Sequence, residues 1–172
     1  MLYKLTTQDG RTRVGYPNET RWGENVEHEA TGPEGRALCS DSWIHAYTDP
    51  LLAVFLNPIH ADISKPVLWE AEGVVGKSDG LKVGCRKLKT VRKIDLPAVT
   101  TEQRVKFAIL CAKQVCKDEQ WNAWADKWLS GEDRSKKVAA EAARAKAAWT
   151  AAAAVEAAPI DLAAIAKQAV EG

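Results

Sequence analysis

The stretch Lys93-Ile94-Asp95-Leu96-Pro97-Ala98-Val99-Thr100-Thr101-Glu102-Gln103 divides the chain into two kinds of sequence. Before it lie β-branched runs, most of the Gly and Pro, and two of the four Cys. After it the chain is made almost wholly of helix formers, with four of its Trp and an Ala-rich tail from Val138 to Val170. Thr100 followed by Gln103 is a capping-box pattern, in which the two ends of a first helical turn exchange hydrogen bonds. The expected fold class is therefore α+β. A small, mainly antiparallel sheet with one short helix fills residues 1–97, and an α-helical region follows over residues 98–172.

In the head, Met1–Thr6 reads as a first strand whose period puts Leu2 with Lys4 and Tyr3 with Leu5. Asp9-Gly10 signals a turn, and Arg11–Tyr16 is the expected hairpin partner. Pro17–Gly35 reads as a long loop anchored by Trp22, and Arg36–Ile44 as a strand. Asp49-Pro50 opens a short helix: Asp49 caps free amides, and Pro50 sits where an N–H would be unpaired. Leu51, Leu52, Val54, Phe55 and Leu56 supply its buried surface, and Asn57-Pro58 is expected to end it. Pro66–Val75 alternates well enough to be the clearest strand, and Leu81–Cys85 with Lys87–Ile94 gives one or two more.

Helices are expected near 101–117, 119–130, 133–156 and 161–170. Val105, Ala108, Ile109, Ala112, Val115 and Cys116 form one apolar face of the first, widened by Phe107, Leu110 and Cys111. Trp121, Trp124, Ala125, Trp128 and Leu129 fall on one face of the second, which Gly131 is placed to end. This Trp stripe reads as core. Asp133–Glu156 is rich in Ala, Lys, Arg and Glu, with Val138, Trp149 and Val155 as its bulky apolar residues. Pro159 stops it and Asp161 caps the last helix. Ala offers high helicity and close approach of helix axes, so such helices sit tightly against a partner helix, within the chain or from another subunit.

Composition narrows the function classes. The chain has 172 residues, 46% hydrophobic and 27% charged, with net charge +1. That balance argues against a strongly basic nucleic-acid binder. No apolar run is long enough to span a bilayer. Met1-Leu2-Tyr3-Lys4-Leu5 lacks the apolar stretch of a signal peptide, so a cytoplasmic location in a host cell is expected, with a virion as the other possibility. Cys39, Cys85, Cys111 and Cys116 form no CxxC pair and read as reduced thiols. No metal or other cofactor is expected; a zinc site would have to combine Cys39 or Cys85 with His45 or His60.

The segment Leu38-Cys39-Ser40-Asp41-Ser42-Trp43-Ile44-His45-Ala46-Tyr47-Thr48-Asp49-Pro50-Leu51-Leu52-Ala53 resembles the C-x-x-G-hydrophobic-His-Ala-x-x-x-Pro segment of an uncharacterised domain common in phage and prophage proteins. Trp69-Glu70-Ala71-Glu72-Gly73 matches the Val-Glu-x-x-Gly strand that follows there, and Lys82–Ile94 its closing strand. Members often continue into Ala- and Trp-rich helices. This chain has Trp43 where a Gly is usual. The resemblance implies a phage or mobile-element origin and no set activity. The head is also similar to ADP-ribosyltransferase-like folds, whose middle element Thr48, Ala53 and Phe55 fit. Lys4 stands where that first strand needs Arg or His, and no Glu follows Val91 in the head, which speaks against catalysis.

Candidate ligand-binding residues are His45, Tyr47 and Thr48. Glu70 and Glu72 share one strand face, about 7 Å apart, and read as exposed acids. Arg86, Lys87, Lys89, Arg92 and Lys93, with Trp149 in the tail, form a candidate protein-interaction surface; with no interleaved aromatic platform, nucleic acid is not the expected partner. Three functions compete: a phage-type accessory protein acting by protein–protein contact, plausible as an inhibitor of host defence; a virion or assembly component, with homo-oligomers packed through Ala-rich helices; and an ADP-ribosyltransferase-like or nucleotide-binding protein centred on His45.

Overall fold

A computed structural model describes residues 1–132, 134 and 160–171. The expected helix over 133–156, and Trp149 on it, lie outside the described residues. The chain divides into two compact units, Met1–Ala98 and Val99–Gly172. Mixed α and β structure is present, with antiparallel pairing throughout the named strands.

The first unit is built on a bent hairpin. One arm runs through β6 (Val67–Glu72) and β7 (Val75–Ser78), the other through β8 (Val83–Cys85) and β9 (Lys87–Ile94). β6 pairs with β9, and β7 with β8, so the two arms bend together between Glu72 and Val75 and at Arg86. Gly73 sits at that bend. A Cβ there would come within 2.7 Å of the Lys87 carbonyl oxygen, so only glycine lets the two backbones approach. The hairpin is shared by two sheets. One has the order β1-β6-β9-β4, with β1 at Leu2–Thr6 and β4 at Val26–Glu29; the other has the order β5-β8-β7, with β5 at Ile44–Ala46. Tyr3 and Tyr47 exchange two backbone hydrogen bonds of 2.9 Å, which ties β1 to the strand that continues from β5. Between the sheets, Leu2, Trp22, Ala46, Ala71, Val83, Cys85 and Leu88 form one buried cluster.

Several expectations are corrected. Arg11–Tyr16 does not pair with β1: only Arg11–Thr12 (β2) is a strand, and it pairs with Thr20–Arg21 (β3). Thr7 still closes the turn, because its hydroxyl accepts from the Arg11 amide at 2.8 Å. Inside the expected loop, Val26–Glu29 covers the edge of β9, setting Glu27 opposite Lys89 and Glu29 opposite Lys87. Opposite charges across a strand pair favour that register. Arg36–Ile44 is not a strand until Ile44. Its small polar residues turn back on the local backbone instead: Ser40 Oγ donates to Ala37 O at 2.7 Å, and Ser42 Oγ to Pro33 O at 2.5 Å.

Helix α1 (Pro50–His60) is capped by the Asp49 carboxylate, which accepts from the Leu51 amide at 2.8 Å. It does not stop at Pro58. Proline at this point removes one amide near the helix end, and Asn57 secures the last turn by bonding both the amide and the carbonyl of Ile63. The extra turn carries His60 toward Tyr47.

In the second unit, α2 (Thr101–Lys113) begins with both hydrogen bonds of the capping box and ends four residues earlier than expected. Helix α3 (Glu119–Ser130) is capped by Asp118 and closed by Gly131 in the left-handed conformation, φ 83°. Helix α4 (Leu162–Glu171) begins beside Asp161, whose carboxylate accepts from the Ala164 amide. Trp128 is buried with Ile109 and Ala125, whereas Trp121 and Trp124 are only partly buried against that cluster.

Candidate ligand-binding cleft

A cleft of about 640 Å³ opens in the first unit. Its inner wall comes from β1, β5, the Trp22 turn and the last turn of α1; its rim comes from the segment Arg13–Arg21. The strand period decides what faces it. Leu2, Lys4 and Thr6 share one side of β1, so a lysine stands on the side where Leu2 enters the core. Lys4 Nζ donates to His45 O at 2.7 Å and lies 5.0 Å from the centre of the Trp22 ring. Trp22 is held by its own hydrogen bond to the Thr12 hydroxyl, 3.0 Å, and by edge contact with His28.

Titration follows from this enclosure. Burial, aided by the charge of Arg13, lowers the Lys4 pKa to about 7. Desolvation brings His45 down to about 4, despite its hydrogen bond to Leu38 O, and brings His60 down to about 4 as well. Burial pushes the Tyr47 phenol upward. At neutral pH both imidazoles are uncharged. His45 Nε2 lies 2.6 Å from the Leu38 carbonyl, which can only accept, so Nε2 carries the proton and Nδ1 is the basic nitrogen. Tyr47 stacks on His60, with its hydroxyl 3.3 Å from Nδ1.

The charges of the cleft are unequally satisfied. Glu19 is paired with Arg11, Asp41 with Arg36, and Glu29 with Lys87. Lys82 is paired with Asp79 at 2.9 Å. Lys4, Arg13 and Arg21 also line the cleft, and none has an ion-pair partner among the described residues. Tyr16 stands on the same rim with 68% of its surface exposed.

Of the residues singled out from sequence, His45 and Tyr47 line the cleft, whereas Thr48 is exposed and outside its lining. The basic group at the end of the head does not form one patch. Arg86 turns inward and donates to the carbonyls of Gly32 and Ser42, both at 2.7 Å, and of Ala30 at 3.3 Å. Lys87 faces Glu27 and Glu29, Lys89 stands opposite Glu27 and Glu72, and Arg92 grips Glu70 through two bonds of 2.7 Å. Lys93 is exposed. Glu70 is thus an ion-pair member, Glu72 is exposed, and neither lines the cleft. Sequence reasoning missed Lys4, Arg13 and Arg21 as site residues and named His60 only as a partner for a zinc ion. A lysine in phase with the apolar Leu2 was the signal for the first; no local signal marked the others.

Cys85 and Cys111 are buried, Cys116 is partly buried and Cys39 is exposed, all as free thiols. Among the described residues no group of three or more His, Cys, Asp or Glu is placed to hold a metal ion, and no helix is long and apolar enough to cross a membrane. Comparison with known protein families, characterised proteins and solved structures gives no match.

Proposed function

We propose that the head unit binds a small anionic ligand bearing a planar ring, of the nucleotide class, and that the protein acts as a phage-type accessory factor by binding rather than by turnover. The observation that carries this is the imbalance of charge in the cleft: its carboxylates are already paired, while Lys4, Arg13 and Arg21 have no ion-pair partner among the described residues. Guanidinium groups suit phosphate because their planar donors meet two oxygens at once. The exposed Tyr16 ring on the same rim offers a stacking surface. Cleavage at a ribose would need a carboxylate free to stabilise developing positive charge. Glu19, Glu29 and Asp41 each already serve a basic partner, which supports binding without turnover.

Calorimetric titration with a panel of nucleoside mono- and diphosphates tests this. Arg13 and Arg21 are exposed, so an Arg13→Ala/Arg21→Ala double variant should fold normally. At about 1.5–3 kcal/mol per charged hydrogen bond, it should bind at least about tenfold more weakly. Absence of binding across the panel, or equal binding by the double variant, would refute the proposal. Label transfer from NAD that vanishes in His45→Ala would establish an enzyme instead.

A protein-binding role has an observation of its own. β7 is an edge strand exposed along its whole length, and it follows Val74, which is 86% exposed. An unpaired strand edge beside exposed valines is a site for another chain to add a strand. Loss of a partner on Val74→Lys, with nucleotide binding intact, would identify this second role.

A further inference from the structure

We propose that Lys4 is a carbonyl-reactive amine: a small aldehyde entering the cleft condenses with Lys4 Nζ to form an imine. This goes beyond anion binding and shares with it the cleft, Lys4 and the cationic rim of Arg13 and Arg21.

Three features of the geometry support it. Lys4 is half-buried and stands on the lining of the cleft. It has no carboxylate partner among the described residues that would hold it as an ammonium ion. Its hydrogen bond to His45 O and its contact with the Trp22 ring face hold the amine at the wall rather than leaving it on a mobile stem. Desolvation acts in the same direction, holding its pKa near 7. At neutral pH roughly a thousandfold more of this amine is unprotonated than of an ordinary lysine with pKa near 10.4. The same device, a lysine desolvated in a pocket or set beside another cation, activates Schiff-base lysines in general. Arg13 is the second cation here.

The step balances as follows. The nitrogen lone pair attacks the carbonyl carbon, the carbonyl oxygen takes up a proton, and the nitrogen loses one, giving a carbinolamine. Loss of water then leaves a C=N bond. Amine and aldehyde give imine and one water, with no change in oxidation state. His45 and His60, uncharged near pH 7, stand on the same lining as bases able to take up a proton. Arg13 and Arg21 on the rim suit an aldehyde that carries an anionic group at its other end.

The test uses the full chain and two probes at limiting concentration near pH 7. Butanal is neutral and reports the amine alone. Pyridoxal 5′-phosphate reports the amine together with the cationic rim. Borohydride added afterwards delivers hydride to the imine carbon, and water supplies the nitrogen proton, leaving a stable secondary amine that peptide mass spectrometry can locate. We expect Lys4 to be modified about tenfold or more ahead of any other lysine by both probes, after allowing for the weaker nucleophilicity that accompanies weaker basicity. Lys4→Arg keeps the positive charge and should remove the preferred site. Mapping of the wild-type protein stands even if that variant fails to fold. Labelling spread evenly over the lysines by butanal would overturn the proposal. Selective butanal labelling without nucleotide binding would uphold it while refuting the anion-binding function, so the two failures are distinguishable.

Discussion

Replacing Lys4 by Met keeps the length of the side chain and removes its titration. In the folded protein the amine has a pKa of about 7, against an ordinary value of 10.5. Between those two values the unfolded chain holds the proton and the folded chain has released it, so stability of the wild type rises with pH across that window. Integrated from pH 7 to pH 10, the difference amounts to about 3.5 kcal/mol. The side chain retains some solvent access, which screens part of the effect, and about 2 kcal/mol is the expected size. Below pH 7 both states carry the charge, and the folded state bears the full cost of enclosing it. Lys4→Met should therefore gain most relative to wild type near pH 6 and lose that advantage by pH 10. Urea unfolding at intervals from pH 6 to pH 10 measures this directly, because every other lysine is common to the two proteins. Parallel stability curves for wild type and Lys4→Met would show that the amine titrates as a solvated lysine and would refute the lowered pKa.

Acid should act through the two histidines of the cleft. Both are lowered from 6.5 to about 4, so the stability that comes from keeping them neutral is complete above pH 6.5 and is lost as pH falls toward 4, by up to about 3 kcal/mol for His45 and, with solvent screening, about 1.5 kcal/mol for the more open His60; His60→Gln should flatten the acid limb of a stability–pH curve, and an unchanged limb would contradict this. Gly73→Ala should destabilise the first unit by about 2 kcal/mol or more in chemical denaturation, because the new Cβ meets the Lys87 carbonyl at 2.7 Å and Leu88 at 3.1 Å. Trp128→Ala should cost about 3–5 kcal/mol, seen as a lowered Tm, and Trp124→Ala less because it is only partly buried. Trp128→Phe should be milder than Trp128→Ala, since it also removes an indole N–H that has no hydrogen-bond partner among the described residues.

The elements that could be read from sequence are those whose signals are local. Thr100 with Gln103, Asp49 with Pro50, and Gly131 each act within a few residues of their own backbone, and each works at its helix end as its chemistry dictates. The β6 strand and the shared phase of Lys4 and Leu2 were legible for the same reason: alternation is a property of the chain itself. Local rules failed where a distant partner decided the outcome. Val26–Glu29 has weak strand character and becomes a strand because β9 offers an unpaired edge with lysines opposite its glutamates. Arg86 was one charge among five in sequence; three carbonyls from Ala30, Gly32 and Ser42 draw it inward. The cleft belongs wholly to this second class. Lys4, Arg13, Arg21, His45 and His60 span more than fifty residues of chain, and only the pairing of β1 with β6 and of Tyr3 with Tyr47, together with a helix that continues through Pro58, brings them onto one wall. Sequence by itself determined where helices begin and which residues of the first strand share a side, because those depend on backbone capping and side-chain period. Tertiary structure alone decided which charges are left unpaired, because ion pairing depends on neighbours that no local pattern specifies.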